Sequence, residues 1–355
     1  MKLTIVTTTY NQEKYIIQAI DSFLSQKTNF QFKIVISNDN STDNTGKILK
    51  EYKNKYPDIF EIIENKKNLG AMQNFINTLS NIKDTEYVAL CDGDDFWTDE
   101  NKLQKQVDFL DNNKDFNICF HKSKLFYQNN EKESIIIPNN IKEITTIKDL
   151  VEQNYIVANS VVYRWKFNNK NLKEIFPDNI APGDYYVHLL HAVDGKIKMF
   201  NEVMSAYRRH SDGMWWSNDS NKEKFTLEYG RKFLNFYNSA EKYMKLPEKS
   251  FYAQRRDIIY NIIVTYVKND KLNEISNEMT SENDKKIYNE CIKDIVNRNI
   301  WYLDYLESVK KSEDIETIKK ELESIKNSRW WKLRNFIKDQ NKSRSKNEKN
   351  ITENK

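Results

Sequence analysis

Three observations predict an α/β fold, with a mostly parallel sheet flanked by helices and a helical C-terminal domain after it. Strand and helix patterns alternate over the first 120 residues, and polar clusters follow three of the strands. Beyond about residue 216 the apolar period becomes three to four. Residues 3–6 read as the first strand, and 15–24 as an amphipathic helix with Ile16, Ile17, Ala19, Ile20, Phe23 and Leu24. Residues 32–36 give a second strand, and 44–56 a helix with Ile48, Leu49 and Tyr52 on one face. A third strand (60–63), a helix (71–79), a fourth strand (87–91) and a fifth (116–120) follow. Such units specify parallel pairing with helices on both faces. Residues 123–137 read as a hairpin turning at 128–133, and 155–164 as a further strand. Thr146 and Asp149 have the spacing of a capping box. Stripes over 225–243, 251–267, 287–309 and 315–325 read as core-forming helices. The expected domains are 1–215, a helical 216–338 and a disordered basic tail over 339–355.

At 355 residues the chain can bury a large core and suits two domains better than one. Hydrophobic content of 39% with 13% aromatics describes a globular chain. No apolar run approaches the roughly 18 residues of a membrane span, and the N-terminus enters a strand pattern directly. Cys91, Cys119 and Cys291 are too few and scattered for a disulfide framework or a zinc site. A cytoplasmic protein is expected. The net charge of +4 is uneven: nine Lys/Arg against three Asp/Glu in 329–355 make the tail +6 and leave −2 for the rest. A nucleic-acid-binding core would instead carry a basic face.

The most chemically informative stretch is 87–97, an apolar run ending in Asp92, Asp94 and Asp95. Three carboxylates within four residues repel one another, and Gly93 and Phe96 bring no compensating charge. A hard divalent cation, Mn²⁺ or Mg²⁺, relieves that repulsion and completes its shell with water and substrate phosphate. In isolation an Asp-x-Asp is more often a solvated turn. Context reverses the odds. The polar residues 7–11, 38–43 and 92–95 all follow strands, at the edge where parallel sheets bind ligands. Neither a dinucleotide fingerprint nor a P-loop is present in the sequence.

Together these motifs resemble family 2 glycosyltransferases, whose nucleotide-sugar-binding fold, Rossmann-like with a mixed, mostly parallel sheet, is called GT-A. The resemblance covers about residues 1–215. It is carried by Thr9-Tyr10-Asn11, Asp39-Asn-Ser-Thr-Asp43, Asn68-Leu-Gly70-x-x-x-Asn74, Asp92-Gly93-Asp94-Asp95-x-Trp97, Gly183-Asp184 and Tyr207-Arg208-Arg209-His210. It implies an inverting, metal-dependent transfer of a sugar from a nucleotide donor, with UDP the implied nucleotide. The acceptor would be a hydroxyl of a surface glycan, a glycolipid or a protein.

Carried over residue by residue, the resemblance gives Thr9, Tyr10, Asp39, Asn68, Gly70, Asp92 and Gly93 to the nucleotide. Tyr10 would offer a stacking face, and Asp39 would accept the imide N–H of uracil. Asn38 stands where many members carry another Asp, which weakens the uracil preference. Asp94 and His210 would hold the Mn²⁺ or Mg²⁺, with Asp95 behind them. Asp184 matches the catalytic base. Arg208 and Arg209 would either neutralise the departing diphosphate or form surface ion pairs. Asp43 either joins the site or caps the helix after it. His121, Asn159 and Ser160 fall where acceptor contacts are expected, though His121 also suits the core. Asp184, His188 and His191 share a helix face at ligand-like spacing, but the resemblance already uses Asp184 as the base.

Trp215 and Trp216 in the loop 211–217 would either close over bound donor or staple the two domains. The segment 328–338 mixes aromatics with cations, suiting an anionic membrane surface or a partner helix. The inner face of a membrane is therefore a possible location, and the helical domain offers surface for a homo-oligomer. Two rival functions share parts of this pattern. A sugar nucleotidyltransferase would want a Gly-rich, cationic loop after the first strand, which residues 7–12 do not supply. A nucleotide-sugar-binding assembly protein without turnover would not need Asp184.

Overall fold

β-branched runs bounded by polar turns build one sheet in the computed structural model, which describes residues 1–309 apart from 130, 131, 169, 171, 212, 214–220 and 270. β1 (Leu3–Thr9), β2 (Phe32–Asn38), β3 (Phe60–Glu64) and β4 (Tyr87–Leu90) alternate with α1 (Ile16–Leu24), α2 (Thr45–Lys55) and α3 (Ala71–Ser80). These strands pair in parallel in the order β3-β2-β1-β4. Then come β5 (Phe96–Trp97), α4 (Lys102–Asn112), β6 (Phe116–Tyr127), β7 (Ile135–Ile137), β8 (Ile144–Thr145) and α5 (Ile147–Glu152). β9 (Val162–Arg164), α6 (Leu172–Ile175), α7 (Gly183–Ala192) and β10 (Lys196–Arg209) complete the set. The sheet continues from β4 through β9, β6 and β10 to β5. Because β9 is antiparallel to both β4 and β6, β6 and its parallel partner β10 run in the same direction as β1 to β4. The expected mixed, mostly parallel sheet is present.

Leu3, Ile5, Ile34, Ile36 and Ala89 of the sheet are fully buried with Ile16, Ile20 and Phe23 of α1 and Leu103, Val107 and Leu110 of α4. Each such Leu, Ile, Val or Phe side chain contributes about 1.5–3 kcal/mol on burial. The capping box forms: the Thr146 N–H and Oγ1 both donate to Asp149 Oδ2, at 3.0 and 3.1 Å. Two stretches differ from the sequence reading. Residues 158–160 make a tight 3₁₀ turn, so the strand expected over 155–164 shrinks to β9. β10 was not anticipated as a strand. The alternation Lys196-Ile197-Lys198-Met199 is the signal for it, broken by the register shifts around Asn201–Val203.

The chain divides into two units, residues 1–220 with 235–251, and 221–234 with the residues from 252 onward. Within the first, Phe236 stacks on Tyr185 at 5.0 Å and meets the edge of Phe251. Within the second, helices Tyr252–Lys268 and Glu282–Val309 pack together around a fully buried pair, Arg255 Nη1 to Asp284 Oδ1 at 2.6 Å. Thr280 donates its N–H and hydroxyl to Asp284 Oδ2, so the buried carboxylate is satisfied on both oxygens. The C-terminal region is helical. The helix expected over 315–325 and the tail over 339–355 lie outside the described residues. Among the described residues no helix is long and apolar enough to cross a membrane.

Candidate active site

The ends of β1 and β2 are tied by the Asp39 N–H donating to the Thr9 carbonyl at 2.9 Å. Thr9 and Asp39 are buried, whereas the Tyr10 ring is 46% exposed beside them. The Asp39 carboxylate holds the loop after β3. Its Oδ1 accepts the Leu69 N–H and Asn65 Nδ2, both at 2.8 Å, and its Oδ2 accepts the Gly70 N–H at 2.9 Å. Asn68 Nδ2 reaches the Asp39 carbonyl at 3.3 Å, and Gly70 takes a φ of 81° that favours glycine. Oδ2 keeps acceptor capacity for a further donor. Asp43 ties the first two strand ends to α2, accepting the N–H groups of Glu13 and Thr45 at 3.0 and 2.9 Å.

The acidic turn follows β4. The Gly93 N–H donates to the Thr8 carbonyl at 3.2 Å, and Thr8 Oγ1 donates to Asp92 Oδ1 at 3.2 Å. A Cβ on Gly93 would lie 2.4 Å from Gln12 Oε1 and 2.9 Å from Ile16 Cδ1, so a side chain there would have to displace the ends of both. Asp92 is open to solvent, yet it stands among protein walls. That enclosure, then the charges of Asp94 and Asp184, push its carboxyl up to about 7. Asp184, in the first turn of α7, thus lies within electrostatic reach of this acidic turn. Burial also raises the Asp184 carboxyl, opposed by the N–H of Tyr185 at 2.8 Å.

Asp94 Oδ2 and His210 Nε2 meet at 2.9 Å, with the His210 ring 4.7 Å from that of Tyr15. A carboxylate oxygen and an imidazole nitrogen converging beside two further carboxylates fit Mn²⁺ well and Mg²⁺ through the oxygens. Among the described residues no three His, Cys, Asp or Glu side chains form a closed metal cage. These two groups would leave most of a coordination shell to phosphate and water.

The other expected residues have different surroundings. Asp95 is buried and accepts the Arg208 N–H and Asn159 Nδ2, each at 2.8 Å. Asn159 also accepts Ser205 Oγ at 2.8 Å and, through its carbonyl, Trp97 Nε1 at 2.8 Å. Ser160 bonds internally to the Val157 carbonyl at 2.7 Å. His121 is fully buried against the Lys122 carbonyl at 2.9 Å, and burial holds it well below the usual histidine range. All three side chains are fully buried. Arg208 is buried, and Arg209 lies over the Tyr207 ring at 5.1 Å. His188 meets Tyr163 Oη at 2.5 Å and His191 stacks on Tyr163 at 4.5 Å. Burial takes both histidines down to about 3, so they pack as neutral core rings. Trp215 and Trp216 lie outside the described residues. Gln18, Gln128 and Asn65 carry no motif, and sequence reasoning did not single them out.

Several known proteins are similar to this chain. At 40% identity over 223 residues, the chain matches an uncharacterized protein of Mycobacterium tuberculosis, covering 63% of each. The chain therefore spans less than two thirds of that relative's length. Shigella flexneri dTDP-rhamnosyl transferase RfbG is 33% identical over 105 residues, 29% of this chain and 36% of that one. The solved structure of S. aureus TarS in complex with UDP-GlcNAc superposes with a TM-score of 0.50 at 17% identity, over 81% of this chain and 91% of that one. It shares the fold. The family model described as Glycosyl transferase family 2 matches residues 4–216, and the chain belongs to that family.

Proposed function

We propose that the protein is an inverting, cation-dependent glycosyltransferase that moves a sugar from a pyrimidine nucleotide donor to a hydroxyl of a surface-glycan, lipid-linked or protein acceptor. The observation that carries this reading is the Asp94–His210 pair, with the charges of Asp94 and Asp184 both acting on Asp92 beside it. In this reading residues 1–215 are the catalytic domain. Asp39 keeps an acceptor site for an imide N–H, which uracil and thymine both possess and cytosine lacks. Tyr10 supplies the exposed ring for the base. UDP is the preferred nucleotide, in keeping with the UDP-GlcNAc bound by TarS, and dTDP satisfies the same contact.

Asp94 and His210 would hold the cation, which when bound neutralises the diphosphate as it leaves. Asp184 receives the acceptor hydroxyl proton. A carboxylate cannot deprotonate a free alcohol outright, so the proton moves as the sugar–phosphate bond breaks. Raised by burial, Asp184 is a stronger base than an ordinary carboxylate. A single displacement inverts the anomeric centre, so an α-linked donor yields a β-linkage.

The test is nucleoside diphosphate release from a panel of nucleotide sugars with Mn²⁺ or Mg²⁺ and no acceptor. One donor should be hydrolysed slowly, and the signal should vanish in Asp94→Ala and in chelator. Undiminished hydrolysis under both conditions would contradict the role given to the cation.

A further inference from the structure

The geometry points to Arg208 as the positioning residue that sets Asp94 and His210 in register, rather than a group that meets the donor's diphosphate. The inference rests on the reading of that pair as the cation site. Asp94 and His210 come from distant segments, and the ladder joining them is short: Ser205 opposite Trp97 and Ala206 opposite Phe96. Arg208 supplies the connections beyond it. Its backbone N–H donates to Asp95 Oδ1 and its Nε to the Asp94 carbonyl, both at 2.8 Å. One residue thus grips the acidic turn at two successive positions.

The rest of the guanidinium is spent on the surrounding elements. Nη2 donates to Gln18 Oε1 on α1 at 2.6 Å, and Nη1 donates to Gln128 Oε1 just beyond β6. Tyr15, Phe126 and Phe96 surround it, with centroids 4.8, 4.9 and 5.5 Å away. Tyr15 also packs on the His210 ring, so one aromatic supports both the cation and the imidazole. To reach a diphosphate, Arg208 would have to leave three acceptors and three rings. A planar fork with donors in three directions is what this position uses, and an ammonium cannot reproduce it.

The experiment measures the Mn²⁺ concentration needed to support binding of a nucleoside diphosphate, whichever of UDP, dTDP and GDP the full-length wild type binds best. Arg208→Lys, Gln18→Leu and Gln128→Leu are compared, each checked for folding by near-UV circular dichroism. Removing a group that orients a metal ligand costs about 10–100-fold in metal affinity. Arg208→Lys should therefore raise the Mn²⁺ requirement by that factor, and the two glutamine variants should raise it in the same direction. At saturating Mn²⁺, nucleotide affinity should return to within about threefold of wild type in all three. The inference is overturned if Arg208→Lys loses nucleotide affinity that saturating Mn²⁺ does not restore, or if both glutamine variants match wild type. If wild type binds none of the three nucleotides with Mn²⁺, the reading of the site falls, and this inference with it.

Discussion

Asp184 and Lys102 show opposite consequences of burying an ionisable group. Burial lifts the Asp184 carboxyl above its ordinary value near 4. In the base role proposed for it Asp184 works only when ionised, so kcat/KM should fall as pH drops through that lifted value and level off above it. Asp184→Asn should lower kcat by about 10²–10⁴-fold while donor KM changes little, read from steady-state kinetics. Lys102 is buried 4.0 Å over the Trp97 ring, and its Nζ has no hydrogen-bond partner among the described residues. Burial pushes its amine down to about 7. The unfolded chain then binds the extra proton between about pH 7 and the ordinary lysine value near 10.4, so this group's penalty is full below 7 and fades as pH rises. Lys102→Met should raise stability at neutral pH, on the order of a few kcal/mol, in denaturant titrations, with the gain shrinking towards pH 10. Asp92 and Asp94 stood out because like charges at a strand end are costly without a purpose, whereas Asp184 was reached only through the family resemblance. Gln18, Gln128 and Asn65 did not stand out, since a neutral amide has meaning only through its partner in space.

At the scale of elements, the acidic turn depends on a missing side chain. Gly93 sits against Gln12, Ile16 and Thr9, with its φ in the ordinary range, so steric closeness rather than backbone conformation disfavours other residues. Gly93→Ala should destabilise the protein by about 1–3 kcal/mol in thermal or denaturant unfolding. Combining it with Gln12→Ala should recover part of the loss, because the nearest clash is with the Gln12 amide. The first four strands and three helices were readable because apolar runs alternate cleanly with amphipathic ones. β10 was hidden by its bulges, which interrupt a period-two pattern in mid-strand. β9 was blurred by the neighbouring 3₁₀ turn, whose Val157, Ser160 and Val161 imitate a longer strand.

At the scale of the molecule, the antiparallel β9 is what allows distant segments to share a site. It sits between β4 and β6 and leaves β10 running in the same direction as β1, so His210 emerges near the turn that follows β4. The sequence could place the acidic turn at a strand end but not the order of strands across the sheet. That order depends on non-local pairing, which periodicity does not encode. The most direct measurement is anomalous diffraction from crystals soaked with Mn²⁺ and a uridine or thymidine diphosphate. The expected result is a manganese peak bonded to Asp94 and His210, with the diphosphate on the metal and the base between Tyr10 and Asp39. A nucleotide bound away from that rim, or manganese bound elsewhere, would contradict it.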